Sequence, residues 1–105
     1  MAVRSVSVFR PNPGKRQEFL KNAAEAKKIL ERLGGRWRAA DTTIGGPNTG
    51  NVIVALEFDD IAAFAAFTQK GEKDSEWLAF QARALGTADP AATLVSRALL
   101  TDIAV

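Results

Sequence analysis

Residues 52–58, Val-Ile-Val-Ala-Leu-Glu-Phe, are apolar in both phases of a two-residue period: Val52, Val54, Leu56 and Phe58 in one phase, Ile53 and Ala55 in the other. Successive side chains of a strand point to opposite faces, so this segment needs cover on both sides. The stretch 93–105, TLVSRALLTDIAV, has the same character, with Val95, Leu99 and Ile103 opposing Leu94, Ala98 and Leu100. Two such strands in 105 residues require a layered α+β arrangement, with helices on one sheet face and a further layer on the other.

The remaining segments supply the other parts of that arrangement. Residues 3–10, VRSVSVFR, put Val6 and Val8 on one face and Val3 and Phe9 on the other, as a first strand. Asn12 is a candidate helix cap and Pro13 suits a first helical turn. Phe19, Ala23, Ala26, Leu30 and Leu33 then form one apolar helical stripe, which the Gly34-Gly35 pair stops. Residues 36–44, RWRAADTTI, read as a second strand, joined through GGPNTGN to the strand at 52–58 as a hairpin. Asp59 or Asp60 caps a second helix through Ile61, Phe64 and Phe67. Asp74 or Ser75 caps a short third one lined by Trp77, Phe80 and Ala84, with Gly86 at its end. The final strand is expected to run to Val105, its apolar end docked or paired. The order β-α-β-β-α-β, with a short extra helix before the last strand, is the split βαβ arrangement of a ferredoxin-like fold in a single domain, residues 1–105.

Composition excludes more chemistry than it includes. The chain has no Cys, His or Tyr. Disulfides, thiolate metal sites, cysteine nucleophiles, Ser-His-Asp arrangements and imidazole ligands are therefore all absent, and no metal or cofactor is called for. The lack of Cys agrees with a reducing compartment, and Met1–Ser7 alternates rather than running apolar, so the expected location is the cytoplasm, with no membrane partner. The charge is unevenly placed: ten basic and three acidic residues precede position 41, and four basic and nine acidic residues follow it. Yet Lys15, Lys21, Lys27, Lys28 and Arg32 are interleaved with Glu18, Glu25 and Glu31, as on a solvated helix face, so a nucleic-acid partner is not expected.

The element order, the two-sided strands and residues 52–64, which run from strand into helix as Val-Ile-Val-Ala-Leu-Glu-Phe-Asp-Asp-Ile-Ala-Ala-Phe, resemble the dimeric α/β-barrel superfamily. That superfamily includes antibiotic-biosynthesis-monooxygenase-like and NIPSNAP-like proteins. The resemblance covers most of the chain as a pattern. It implies a homodimer in which two sheets face each other around a partly enclosed cavity, and it selects no single chemistry, because this fold carries many.

Five residues stand out as ligand-binding candidates. Glu57 is a carboxylate in an apolar strand, able to act as an acid or base if desolvated, or simply to pair with an Arg on a neighbouring strand. Arg97, between Val95 and Leu99, needs a carboxylate, a ligand or the sheet edge, and a ligand there would be anionic or carry a carbonyl. Arg38, with Asp41, Thr43, Ser5 and Ser7, could line the same cavity or an exposed strand face. Trp37 and Trp77 are rings that either flank a flat ligand or anchor the core. The GGPNTGN loop lacks the Lys-Ser/Thr and helix of a phosphate loop and reads as a turn.

Three functions follow from different classes. One is a dimeric protein that binds or transforms a small organic molecule, in a cavity between helices and sheet or between the two sheets, with Glu57 and Arg97 as polar contacts. A second, implied by the resemblance alone, is a cofactor-independent monooxygenase, although the Asn and Trp of such enzymes match no motif position here. The third is a structural or regulatory dimer whose interior is filled by its own aromatic rings.

Overall fold

The computed structural model describes residues 1–105, in the order β1 (Val3–Pro11), α1 (Arg16–Arg32), β2 (Arg36–Asp41), β3 (Val52–Phe58), α2 (Ile61–Lys73), α3 (Ser75–Ala84) and β4 (Ala92–Thr101). The strands form one antiparallel sheet in the order β2-β3-β1-β4. This is a ferredoxin-like α+β fold, with β1 and β3 inside and β2 and β4 at the edges.

Local chemistry explains most element ends. Gly34 adopts φ +112°, and the amides of Gly34 and Gly35 bond back to the carbonyls of Glu31 and Leu30, closing α1 with the pair of bonds that a left-handed glycine permits. Asp60 accepts from the amide of Ala63 at 2.8 Å to start α2, and Asp74 accepts from that of Trp77 at 2.8 Å to start α3.

Three boundaries differ from the sequence reading. Asn12 does not cap α1, which begins after Lys15 without a side-chain cap. Its amide instead donates to the carbonyl of Pro90 and its side-chain oxygen accepts from the Thr93 hydroxyl, so it ties β1 to the start of β4. The second strand stops at Asp41 because the hairpin connection is longer than read: Thr42 pairs with Asn51, a 3₁₀ turn occupies Gly46–Asn48, and Ile44 is exposed. Pairing of β4 ends at Thr101, with one further bond from the Asp102 amide to the Ala2 carbonyl, and Val105 is exposed rather than docked within the chain.

The register fixes the two sheet faces. Val3, Ser5, Ser7 and Phe9 lie opposite Phe58, Leu56, Val54 and Val52, and this face carries the helices. The other face carries Val6, Val8, Ile53 and Ala55 at its centre, flanked by Ala98 and Leu100 of β4. The register of β4 against β1 shifts between Val8 and Phe9, because Ser96 faces Val8 while Leu94 faces Phe9. Val95 is the extra residue, and this bulge corrects the simple alternation read from sequence: Leu94, Arg97 and Leu99 share the helix-facing side.

The core lies between that side and the helices. One buried cluster joins Ala26, Ile29, Leu30 and Leu33 of α1 and its end to Phe80 and Ala84 of α3. A second joins Phe19 to Val52, Val54 and Ala91. Helix α2 is held more lightly: Gly71 is its one buried residue, and it reaches the sheet through Phe64 and Phe67, whose rings lie 5.4 and 4.8 Å from that of Phe58.

The charge asymmetry of the sequence resolves into ion pairs across the chain. Arg4 pairs with Asp102, Lys15 with Asp89, Arg16 with Asp41, Arg32 with Asp74 and Glu76, and Arg36 with Glu57 and Asp59. Each joins a basic residue of the first forty positions to an acid of the remainder. Exposed pairs of this kind contribute little stability individually, but they neutralise the basic surplus within the molecule.

Candidate functional site

Small residues on facing elements leave a space in the helix-covered side of the sheet. Ser5 and Ser7 occupy positions of β1 where larger side chains would fill the layer, and Ala23 and Ala26 on α1, Ala84 on α3, Ala91 just before β4 and Ala92 at its start face the same space. The result is a cavity of about 800 Å³ with 28 lining residues, 19 of them hydrophobic. That size lies within the range of small-molecule sites, as does a mostly apolar wall carrying a few polar groups.

Aromatic rings form much of the wall. Phe9, Phe19, Trp37, Phe64, Phe67, Trp77 and Phe80 all line it. Trp77 is stacked on Phe80 with ring centroids 5.3 Å apart and planes 17° from parallel, while Arg83 lies over the Phe80 ring at 5.7 Å. Both Trp rings are partly buried, so each packs against the core with one part and meets the cavity with another.

The polar groups are sparse and unequal. Arg97 is the one cation and Glu72, on α2, the one carboxylate among the lining residues. Arg97 has no ion-pair partner; its Nε donates to the Ser7 hydroxyl at 3.0 Å, leaving the terminal guanidinium nitrogens without a protein acceptor. Ser7 is 7% exposed and orients the guanidinium from the sheet floor. Five N–H donors and no acceptor make an Arg a reader of carboxylates, phenolates and carbonyls.

The five candidates separate into two groups. Arg97, Trp37 and Trp77 meet at this cavity, together with Ser5 and Ser7. Glu57 and Arg38 lie on the opposite sheet face: Glu57 is cross-strand from Arg4 and Arg36, and Arg38 from Ala55. Glu57 accepts from Arg36 at 3.4 Å, the pairing with an Arg on a neighbouring strand that was its simpler reading. The expectation that Glu57 and Arg97 serve one cavity is therefore corrected, since the sheet stands between them. Asp41 is engaged by Arg16 at the end of β2, and Thr43 lies beyond that strand.

Sequence reasoning did not single out Phe19, Phe67, Leu94 or Gln81 as wall residues. For Phe19 and Phe67 the signal was present, as the apolar stripes of two helices, but a stripe does not say whether it meets a core or a space. Leu94 had no such signal, because its orientation depends on the bulge at Val95.

No protein-family sequence profile matches the chain, and neither does the sequence of any curated protein. Solved structures do match it closely in shape. A NIPSNAP family protein of Agrobacterium tumefaciens superposes with a TM-score of 0.72 at 23% identity, over 98% of this chain and 94% of that one. An uncharacterised NIPSNAP domain protein from Burkholderia xenovorans gives 0.73 at 23% identity, over 99% and 96%. A protein of Chloroflexus aurantiacus assigned to the antibiotic biosynthesis monooxygenases gives 0.64 at 11% identity, over 99% and 95%. The fold is theirs. At these identities the likeness carries the architecture and stops there.

Proposed function

We propose that the protein is a homodimer that binds, and in an enzymatic form of the reading transforms, a flat apolar molecule bearing an anionic or carbonyl group. Its place is the cavity between helices and sheet. The observation that carries this reading is Arg97, a guanidinium free of ion pairs in the wall of an aromatic-lined space of about 800 Å³. The Arg97 side chain is exposed, so water serves its terminal nitrogens until a ligand carrying an anionic or carbonyl oxygen displaces it.

The dimer reading rests on the uncovered sheet face. Val6, Val8, Ile53, Ala55, Ala98 and Leu100 form an apolar centre, with Arg4, Arg36, Arg38 and Glu57 toward one end. A second copy laid on it through a two-fold axis would cover the same patch on both. It would also give Ile53 and Ala55 the second layer that their sequence pattern demands.

The naphthalene sulfonate dye ANS is a suitable first probe, being flat, apolar and anionic. Saturable fluorescence enhancement is expected with the folded protein, and Arg97→Gln should weaken it about tenfold or more, the usual worth of a hydrogen bond to a charged group. Equal affinity in the folded variant would remove Arg97 from the site.

The monooxygenase reading draws on the same cavity and on the Chloroflexus neighbour. Oxygen uptake with a panel of activated phenols tests it, and no uptake across the panel sinks it. The cavity's size speaks against the third reading, an interior closed by the protein's own rings.

A further inference from the structure

A second, smaller pocket of about 290 Å³ lies between the end of β1, the start of α1 and the hairpin connection. None of its lining residues is hydrophobic. Arg10, Asn12, Arg16, Thr49 and Asn51 supply its side-chain functional groups, and no Asp or Glu is among the lining residues.

Asn51 is the decisive residue. It is 4% exposed, one of only two buried polar residues in the chain, yet its side-chain amide makes no hydrogen bond within the protein. Neither amide atom is sealed from solvent without a partner, so the residual opening of the side chain is to the pocket it lines. Open to the pocket and free of protein partners, this amide is available to a ligand there.

The other groups are donors with capacity to spare. Arg10 has no ion-pair partner, in a molecule where most arginines have one. Arg16 gives one terminal nitrogen to Asp41 and keeps the rest of its fork. The Thr49 hydroxyl accepts from the Gly45 amide at 3.0 Å, which leaves its own proton to donate. The first-turn amides of α1 have no capping side chain, which adds a positive end of a helix dipole to the same region. The backbone amides of Thr49, Gly50 and Asn51 are already spent on Gly46, Thr42 and Asn48, so recognition here would be by side chains and not by a phosphate-loop backbone.

We infer that this pocket is a binding site for a small oxyanion, with Arg10, Arg16, Thr49 and the Asn51 amide as donors and inorganic phosphate as its simplest probe. Two cations and two neutral donors, against a single carboxylate already held by Arg16, match the charge and the acceptor count of phosphate or of a carboxylate group.

Amide-resolved NMR titration tests the inference independently of the large cavity. Sodium phosphate should shift the amide signals of Arg10, Arg16, Thr49 and Asn51 saturably, where sodium chloride at equal ionic strength does not. Arg10→Gln, at an exposed position where folding is not at stake, should weaken phosphate about tenfold or more and leave ANS binding at the other cavity unchanged. Acetate competing as strongly as phosphate would identify the natural ligand as a carboxylate; acetate failing to compete would favour a phosphate group. The inference is overturned if chloride reproduces the shifts, or if Arg10→Gln binds phosphate as tightly as the parent protein.

Discussion

Ile53→Ala tests whether the uncovered sheet face meets a second copy of the chain. Ile53 sits between Val8 of β1 and Ala40 of β2 and is only half-buried within one chain. Truncating a fully buried Ile to Ala costs about 2–5 kcal/mol. With half of that burial supplied by the protomer itself, about 1–2 kcal/mol should appear in its folding stability. A similar amount per copy should appear in association. A two-fold interface contains the residue twice, so dimer formation should lose about 2–4 kcal/mol, a rise of about 30- to 800-fold in the dissociation constant. Sedimentation equilibrium over a dilution series reads that constant directly, and urea unfolding at low concentration reads the protomer. A parent protein that stays monomeric at every concentration would refute the reasoning, as would an Ile53→Ala protein that dimerises as tightly as the parent.

Three further substitutions probe the parts that shape the cavity. Phe58→Ala, at a residue 2% exposed and in contact with the rings of Phe64 and Phe67, should cost about 3–5 kcal/mol in urea unfolding and free α2 from the sheet; a loss under 1 kcal/mol would contradict the packing described. Ser7→Leu should fill the cavity floor and abolish ANS binding in a folded protein, and undiminished binding would place the probe elsewhere. The Asp74 carboxyl is held below the ordinary carboxylate range, first by the Trp77 amide and also by the Arg32 guanidinium, against an opposing effect of desolvation. Its charged form therefore stabilises the fold above the unfolded-state value, and that contribution is lost as pH falls below about 4. Asp74→Asn keeps a helix cap while removing the titration, so thermal denaturation between about pH 5 and pH 2, the window of a depressed carboxylate, should lose part of its acid slope. An unchanged slope would remove Asp74 from the account.

The sequence revealed those features that depend on one residue and its near neighbours. The caps at Asp60 and Asp74 and the glycine stop at Gly34 are local hydrogen-bond and dihedral problems, and each lies where the pattern put it. The two apolar phases of β3 likewise identified two faces in need of cover. What could not be read depends on pairing between distant segments. Asn12 has the chemistry of a cap, but β4 arrives beside it and offers the Pro90 carbonyl and Thr93 hydroxyl instead. Arg97 and Glu57 both look like lone charges in apolar strands, and only the registers of β4 and β3 against β1 put them on opposite sides of the sheet. One extra residue at Val95 was enough to turn Leu94 to the side of Arg97. The open amide of Asn51 is a matter of tertiary burial, and a sequence gives no sign of it.

The most direct test of the central claim is a crystal structure of the protein purified without added ligand, inspected between the helices and the sheet. The account expects density for a flat molecule beside the Arg97 guanidinium, flanked by the rings of Trp37 and Trp77. A cavity closed by movement of α2, with Arg97 paired to Glu72 across it, would contradict the account and leave a dimer that holds no small molecule.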